Sequence, residues 1–164
     1  MNIFEFAMKM EEDGRAYYLE IAEKTDLPEL KKVLTELADD ELKHYKIFRA
    51  LNEKQLPEYS EAEKTTILST TKNVFEALKS EGKEFVFGGE VRTVWEQALD
   101  VEIKSEKFYR EKADELDNPE EKKLLNSIAD EEKRHQTVIE HVMQFLDRPK
   151  QWLEDAEWHH LEEY

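Results

Sequence analysis

Apolar residues recur along this chain at intervals of three and four, and four long stretches hold that rhythm well enough to predict four helices. The first carries Ile3, Ala7, Met10, Gly14, Tyr17 and Ile21, with Phe4, Glu11 and Tyr18 widening the stripe. It stops near Asp26-Leu27-Pro28, where proline suits the first turn of a new helix and Asp26 or its neighbour can cap. The second seam runs through Leu30, Leu34, Leu37, Glu41, His44, Phe48 and Leu51. Val91, Val94, Ala98, Val101, Ser105 and Phe108 predict a third helix, widened by Trp95, Glu102, Tyr109 and Leu116. After a turn at Asp117-Asn118-Pro119, a fourth places Leu125, Ile128, Glu132, His135, Ile139, Val142 and Leu146 on its inner side. Acidic and imidazole groups therefore interrupt rows that are otherwise apolar, which puts them at core positions.

The stretch between the second and third helices, 53–89, is too long for a simple turn. Pro57 and the group Gly82, Gly88 and Gly89 punctuate it, and Val74, Phe75, Ala77 and Leu78 predict a short helix in its middle. Such a crossover can run the length of a bundle and return the chain for the third helix, and it can also permit exchange of hairpins between subunits. The expected organisation is all-α: a four-helix bundle over 1–146, made of hairpins 1–52 and 90–146, followed by a helical tail over 147–164. In that tail Trp152, Leu153, Ala156 and Leu161 are available for packing.

The two hairpins are copies of each other. Sliding the chain by 91 residues, the interval from His44 to His135, superimposes Glu11 on Glu102, Tyr18 on Tyr109 and Glu20 on Glu111. The register then holds without a gap through Asp26, Pro28 and Glu29 on Asp117, Pro119 and Glu120, and ends with Ala38, Asp39, Glu41 and His44 on Ala129, Asp130, Glu132 and His135. Two copies predict a closed pseudo-symmetric unit, since a solenoid needs three or more stacked repeats.

Within each copy a glutamate is followed 30 residues later by Glu-x-x-His: Glu11 with Glu41 and His44, Glu102 with Glu132 and His135. Residues three apart share a helix face, so each pair presents a carboxylate and an imidazole to one point. With a turn near residue 26, Glu11 and Glu41 both stand roughly 22 Å from it at about 1.5 Å per residue, and so lie level in an antiparallel hairpin. The same holds for Glu102 and Glu132 about residue 117. If the hairpins pack with their pseudo-twofold axis at that level, four carboxylates and two imidazoles converge inside the bundle. Buried without counter-charge they would repel one another and suffer a large desolvation cost, whereas two divalent cations would balance four negative charges. A third Glu-x-x-His, Glu157 to His160, reads as tail surface.

Composition narrows the chemistry. The 164 residues are the usual size of one domain. Charged residues make up 39 % and the net charge is −16, so nucleic acid and anionic membrane are poor partners. The absence of cysteine removes disulfides, thiolate catalysis and sulfur-ligated iron. No signal-like start and no apolar run of spanning length is found, so a cytoplasmic protein is expected. Abundant Glu and Lys resemble thermophile usage. Carboxylates with one imidazole per ion suit iron or manganese better than a structural zinc site, although zinc can occupy such donors; two iron ions are the expected cofactor.

The doubled Glu…Glu-x-x-His set on four helices resembles the rubrerythrin type of the ferritin-like di-iron carboxylate family, and the likeness covers nearly all of 1–146. The resemblance implies that Glu11, Glu41, His44, Glu102, Glu132 and His135 are the metal ligands, with Glu41 and Glu132 bridging and Glu11 and Glu102 terminal. It further implies that Asp40 and Glu131, each just before the Glu of a Glu-x-x-His, hydrogen-bond the opposite histidine and so fix its tautomer. Tyr18 and Tyr109, two turns beyond Glu11 and Glu102, either donate to those carboxylates or pack as core aromatics.

Two departures bear on activity. Members of the family typically carry an extra glutamate three residues after the third-helix ligand; here that position is Ser105, with Glu106 as the nearest other acid. They usually also add a cysteine-ligated rubredoxin domain, which a sequence without cysteine cannot supply. The family implies a di-iron oxidoreductase reacting with peroxide or dioxygen, here with electrons from an external donor protein, and a homodimer. An iron-handling protein without an organic substrate, and an interaction module whose metals only staple the helices, are the other two readings.

Overall fold

A computed structural model describes residues 1–59 and 64–154. Its elements are α1 (Ile3–Lys24), α2 (Pro28–Asn52), α3 (Ile67–Glu81), α4 (Gly89–Glu115), α5 (Pro119–Asp147) and α6 (Pro149–Glu154), and no strand occurs among the described residues. The most extensive packing is α1 against α2 and α4 against α5, the two hairpins. The expected short helix in the crossover is the full α3, which lies against α2 and α5 and ends at Gly82, whose φ of +64° supplies the left-handed stop. The expected tail helix is described as far as Glu154; Ala156, Leu161 and the third Glu-x-x-His, Glu157 to His160, lie outside the described residues.

Local chemistry explains most of the boundaries. Asn2 caps α1 by accepting from the Glu5 amide at 2.9 Å. Both α2 and α5 open on a proline, whose missing N–H costs nothing in a first turn. Asn118 caps α5, accepting from the amides of Glu120 and Glu121. The matching cap in the first hairpin is absent: Leu27 occupies the cap position and Asp26 makes no such bond. Leu27 packs against the core instead, so burial of an apolar side chain takes the place of the cap.

Two apolar clusters fill the bundle, one at each end. Tyr18, Ile21, Leu30, Leu37, Ala98, Val138 and Ile139 belong to the larger, together with Phe75, Phe145 and Trp152 from the crossover and the C-terminal region. Ala7, Ile47, Phe48, Tyr109, Leu125 and Ile128 belong to the other. Each of α1, α2, α4 and α5 passes from one cluster to the other, and Glu11, Glu41 with His44, Glu102, and Glu132 with His135 sit at the passage. Because α2 ends in the second cluster and α4 starts in the first, the crossover has to travel the length of the bundle.

The seams expected for α2 and α5 are buried at every position. In α4 the expected stripe holds at Ala98 and Ser105 and at Trp95, Glu102 and Tyr109, which widen it, but its other edge is not buried. Val101 is 45 % exposed, Val91 and Val94 are only partly covered, and the buried row is Trp95, Ala98, Glu102, Ser105, Tyr109 and Ala113. In α1, likewise, Glu11, Gly14 and Tyr18 lie deepest while Met10 and Tyr17 flank them. The row that carries the glutamate is the one that faces inward, and hydrophobic neighbours one position away fall on the shoulder.

Candidate metal centre

All six residues singled out by the repeat are brought together and are at most 4 % exposed. They form two overlapping groups, Glu11, Glu41, His44 and Glu132, and Glu41, Glu102, Glu132 and His135. In each group one ligand atom per residue lies within 4.8 Å of all the others. Glu41 and Glu132 belong to both. The two imidazoles stack at 6.1 Å between centroids, and each uses its rings in the same way. His44 Nδ1 faces the cluster, 3.0 Å from Glu132 Oε1 and 3.5 Å from Glu11 Oε2. His135 Nδ1 faces it too, 3.3 Å from Glu102 Oε1 and 3.4 Å from Glu41 Oε1.

Of these contacts only that of His135 Nδ1 with Glu102 Oε1 is a hydrogen bond. Glu11 Oε2, Glu41 Oε1, Glu102 Oε2, Glu132 Oε1 and His44 Nδ1 are buried without a hydrogen-bonding partner. Buried polar atoms are paired in all but a few cases, because an orphan carries its full desolvation penalty. Five such atoms directed at one small region fit cations: oxygen and nitrogen donors, no sulfur, and an excess of negative charge.

The titration behaviour reports the same crowding. Burial, together with the charges of Glu11, Glu132 and Glu102, pushes the Glu41 carboxyl well above its ordinary range. Glu132 is raised by burial and by Glu102 and Glu11. Burial opposes the charged form of both histidines, but Glu11 beside His44 and Glu102 beside His135 outweigh it and raise both imidazoles. Glu102 goes the other way: burial works against its anion, yet His135, Glu132 and Tyr18 hold it down at about 2. Without cations the cluster shares protons, and metal binding would release them.

Around the six, contacts cross between hairpins. Asp40 Oδ2 meets His135 Nε2 at 2.9 Å and Glu131 Oε1 meets His44 Nε2 at 3.5 Å. Burial raises the cost of ionising Asp40 and Glu131, but the facing histidine overcomes it and holds each carboxyl below its usual value. Tyr109 donates to Glu11 Oε1 at 2.6 Å, and Tyr18 donates to Glu102 Oε1. Both tyrosines thus do the two things left open by the sequence: they pack in the core and they hold a carboxylate of the other hairpin.

Ser105 is buried beside Glu102, whereas Glu106 turns away from the cluster. Its oxygens are taken by Gln136 Nε2 at 2.9 Å and by Arg110 at 2.8 Å, and it belongs to neither group of four. Three features were not visible in the sequence. Gly14 makes room for a carboxylate, since a Cβ there would lie 3.1 Å from Glu41 Oε2. Tyr59 and Thr65, in the crossover, reach Asp40 and Glu131. A small residue on the inner stripe is a signal for the first, and no periodicity marks the other two.

Two antiparallel helical hairpins, a crossover that traverses the bundle, and a median layer of four carboxylates and two imidazoles define a ferritin-like helical bundle of the carboxylate type. A sequence model of the rubrerythrin family matches residues 2–143, and the chain belongs to that family. Comparisons with curated proteins and with solved structures returned no match. No helix among the described residues is long and apolar enough to cross a membrane.

Proposed function

We propose that this chain is a di-iron oxidoreductase that reduces peroxide or dioxygen with electrons from an external donor protein. The observation that carries this reading is the convergence, from both hairpins, of buried donor atoms that have no other partner. Glu11 and Glu102 would each serve one ion, Glu41 and Glu132 would bridge, and His44 and His135 would bind through Nδ1. Two ferrous ions, when bound, supply two electrons and Lewis acidity to the oxygen–oxygen bond. Manganese or zinc can occupy the same donors.

The chain's own contribution is orientation and exclusion of water. Asp40 is hydrogen-bonded to His135 Nε2, and Glu131 faces His44 Nε2 as a charge partner at 3.5 Å, so that both imidazoles turn Nδ1 to the cluster. Tyr18 and Tyr109 each fix one oxygen of Glu102 and Glu11, which leaves the second oxygen for a cation. The apolar clusters above and below keep solvent out. We place the protein in the cytoplasm, as a homodimer. Exposed Phe6 and Val101, with Phe6 against Phe108 at 5.1 Å, support a partner surface along α1 and α4.

Ser105 in place of the family's extra glutamate favours a second reading, an iron-handling protein without dedicated turnover. Anaerobic ferrous loading followed by peroxide separates the two. The oxidoreductase reading expects two iron ions per chain, ferric absorbance in the near ultraviolet, and its loss and return over repeated cycles of reductant and peroxide. One stoichiometric oxidation without recovery would establish iron handling instead. Metal-dependent thermal stability with no redox response would leave only a structural role, and Glu41→Ala should abolish loading in every case.

A further inference from the structure

The repeat accounts for the six donors and for Asp40 and Glu131, but not for two residues between α2 and α3. The Thr65 amide donates to Glu131 Oε1 at 3.0 Å, and its hydroxyl donates to Asp40 Oδ2. The Ile67 amide donates to Thr65 Oγ1 at 3.1 Å, which occupies a lone pair and leaves the hydroxyl proton for Asp40. Tyr59 donates its hydroxyl to Oε2 of Glu131. One crossover residue therefore touches both of the carboxylates that face the histidines, and each of these reaches the histidine of the opposite hairpin.

We propose that Thr65 and Tyr59 are positioning residues of the metal centre, each setting one of its two metal positions: Thr65 through Asp40 and His135, Tyr59 through Glu131 and His44. The inference rests on the metal-binding reading above. A carboxylate that orients an imidazole does so only as well as it is itself held, and such outer contacts typically change metal affinity by about 10–100-fold. Glu131 is one methylene longer than Asp40 and has more rotamers to lose. It also stands farther from its histidine, at 3.5 Å against 2.9 Å, and it receives two crossover donors where Asp40 receives one. The extra donor falls where the side chain has the greater freedom.

Cobalt(II) titration of the full chain tests this, with visible absorbance for each binding step and the hyperfine-shifted imidazole N–H resonances for each histidine. Thr65→Val keeps the amide and removes the hydroxyl, so it should weaken one step about tenfold and move one resonance. Tyr59→Phe should weaken the other step and move the other resonance, while Thr65→Ser should match the parent. A general loss of packing would not divide in this way. The inference is overturned if parent and both variants load two ions alike, if the variants move the same resonance, or if Thr65→Ser behaves as Thr65→Val. A parent that binds no cobalt would overturn the metal-binding reading as well, which distinguishes the two failures.

Discussion

Gly14 shows how one atom's absence shapes the cluster. Glycine inside a helix costs about 1 kcal/mol relative to alanine, and here the position is held open because a Cβ would press on Glu41 Oε2 at 3.1 Å. Gly14→Ala should therefore leave the fold intact but displace the Glu41 carboxylate, and isothermal titration should show weaker metal binding in a protein with unchanged helicity. The titrating groups make a second prediction, for the metal-free chain. His44 and His135 lie above 6.5, and Glu41 and Glu132 above 4.5, so their contribution is present below those values and is lost as pH rises through the folded-state pKa values. Glu102, Asp40 and Glu131 are lowered, so theirs is lost only toward strong acid. With chelator present the melting temperature should be higher at about pH 5 than at about pH 8, and metal affinity should rise over the same interval as protons leave the donors. The convergence of the six side chains was legible because a Glu…Glu-x-x-His pattern written twice at a fixed interval stands out against any single acidic position. Thr65, Tyr59 and Gly14 were not, since each acts through a contact made by tertiary packing.

At the level of the helix, periodicity identified the buried seams of α2 and α5, and in α4 it found the inner row but added Val101 to it. The reason lies in Val101 and Ile103, which are apolar yet 45 % exposed, while Glu102 between them is 1 % exposed. A hydrophobicity rule ranks those three in the wrong order, because the charge of Glu102 makes it look like a surface residue when its chemistry requires an interior place. The cap expected at Asp26 or its neighbour is not made, since Leu27 is used for packing, whereas the cap at Asn118 came from the structure alone. Asn118 accepts from two amides of the first turn of α5, so Asn118→Ala should destabilise the protein by about 1 kcal/mol in denaturant titrations, with metal loading unchanged. Leu27→Ala would lose apolar contact rather than a cap.

The molecule as a whole is two oily ends joined through a charged middle. In most bundles the centre is the best-protected part and the ends fray. Here the centre holds buried donors without partners, so its stability depends on what is bound there. Metal should raise the melting temperature in proportion to the logarithm of its free concentration, and chelation should reverse the shift, as calorimetry can establish. The level of the carboxylate and imidazole layer followed from arithmetic on helix rise, and the course of the crossover from its length; its path past Asp40 and Glu131 did not, because loops carry no period. Two separate hydrophobic ends also imply a waist. Once emptied of cations, the bundle should exchange amide protons for deuterium sooner in the turns around Glu41 and Glu132 than near Leu34 or Leu125, like a rod that softens at its middle while both tips stay stiff.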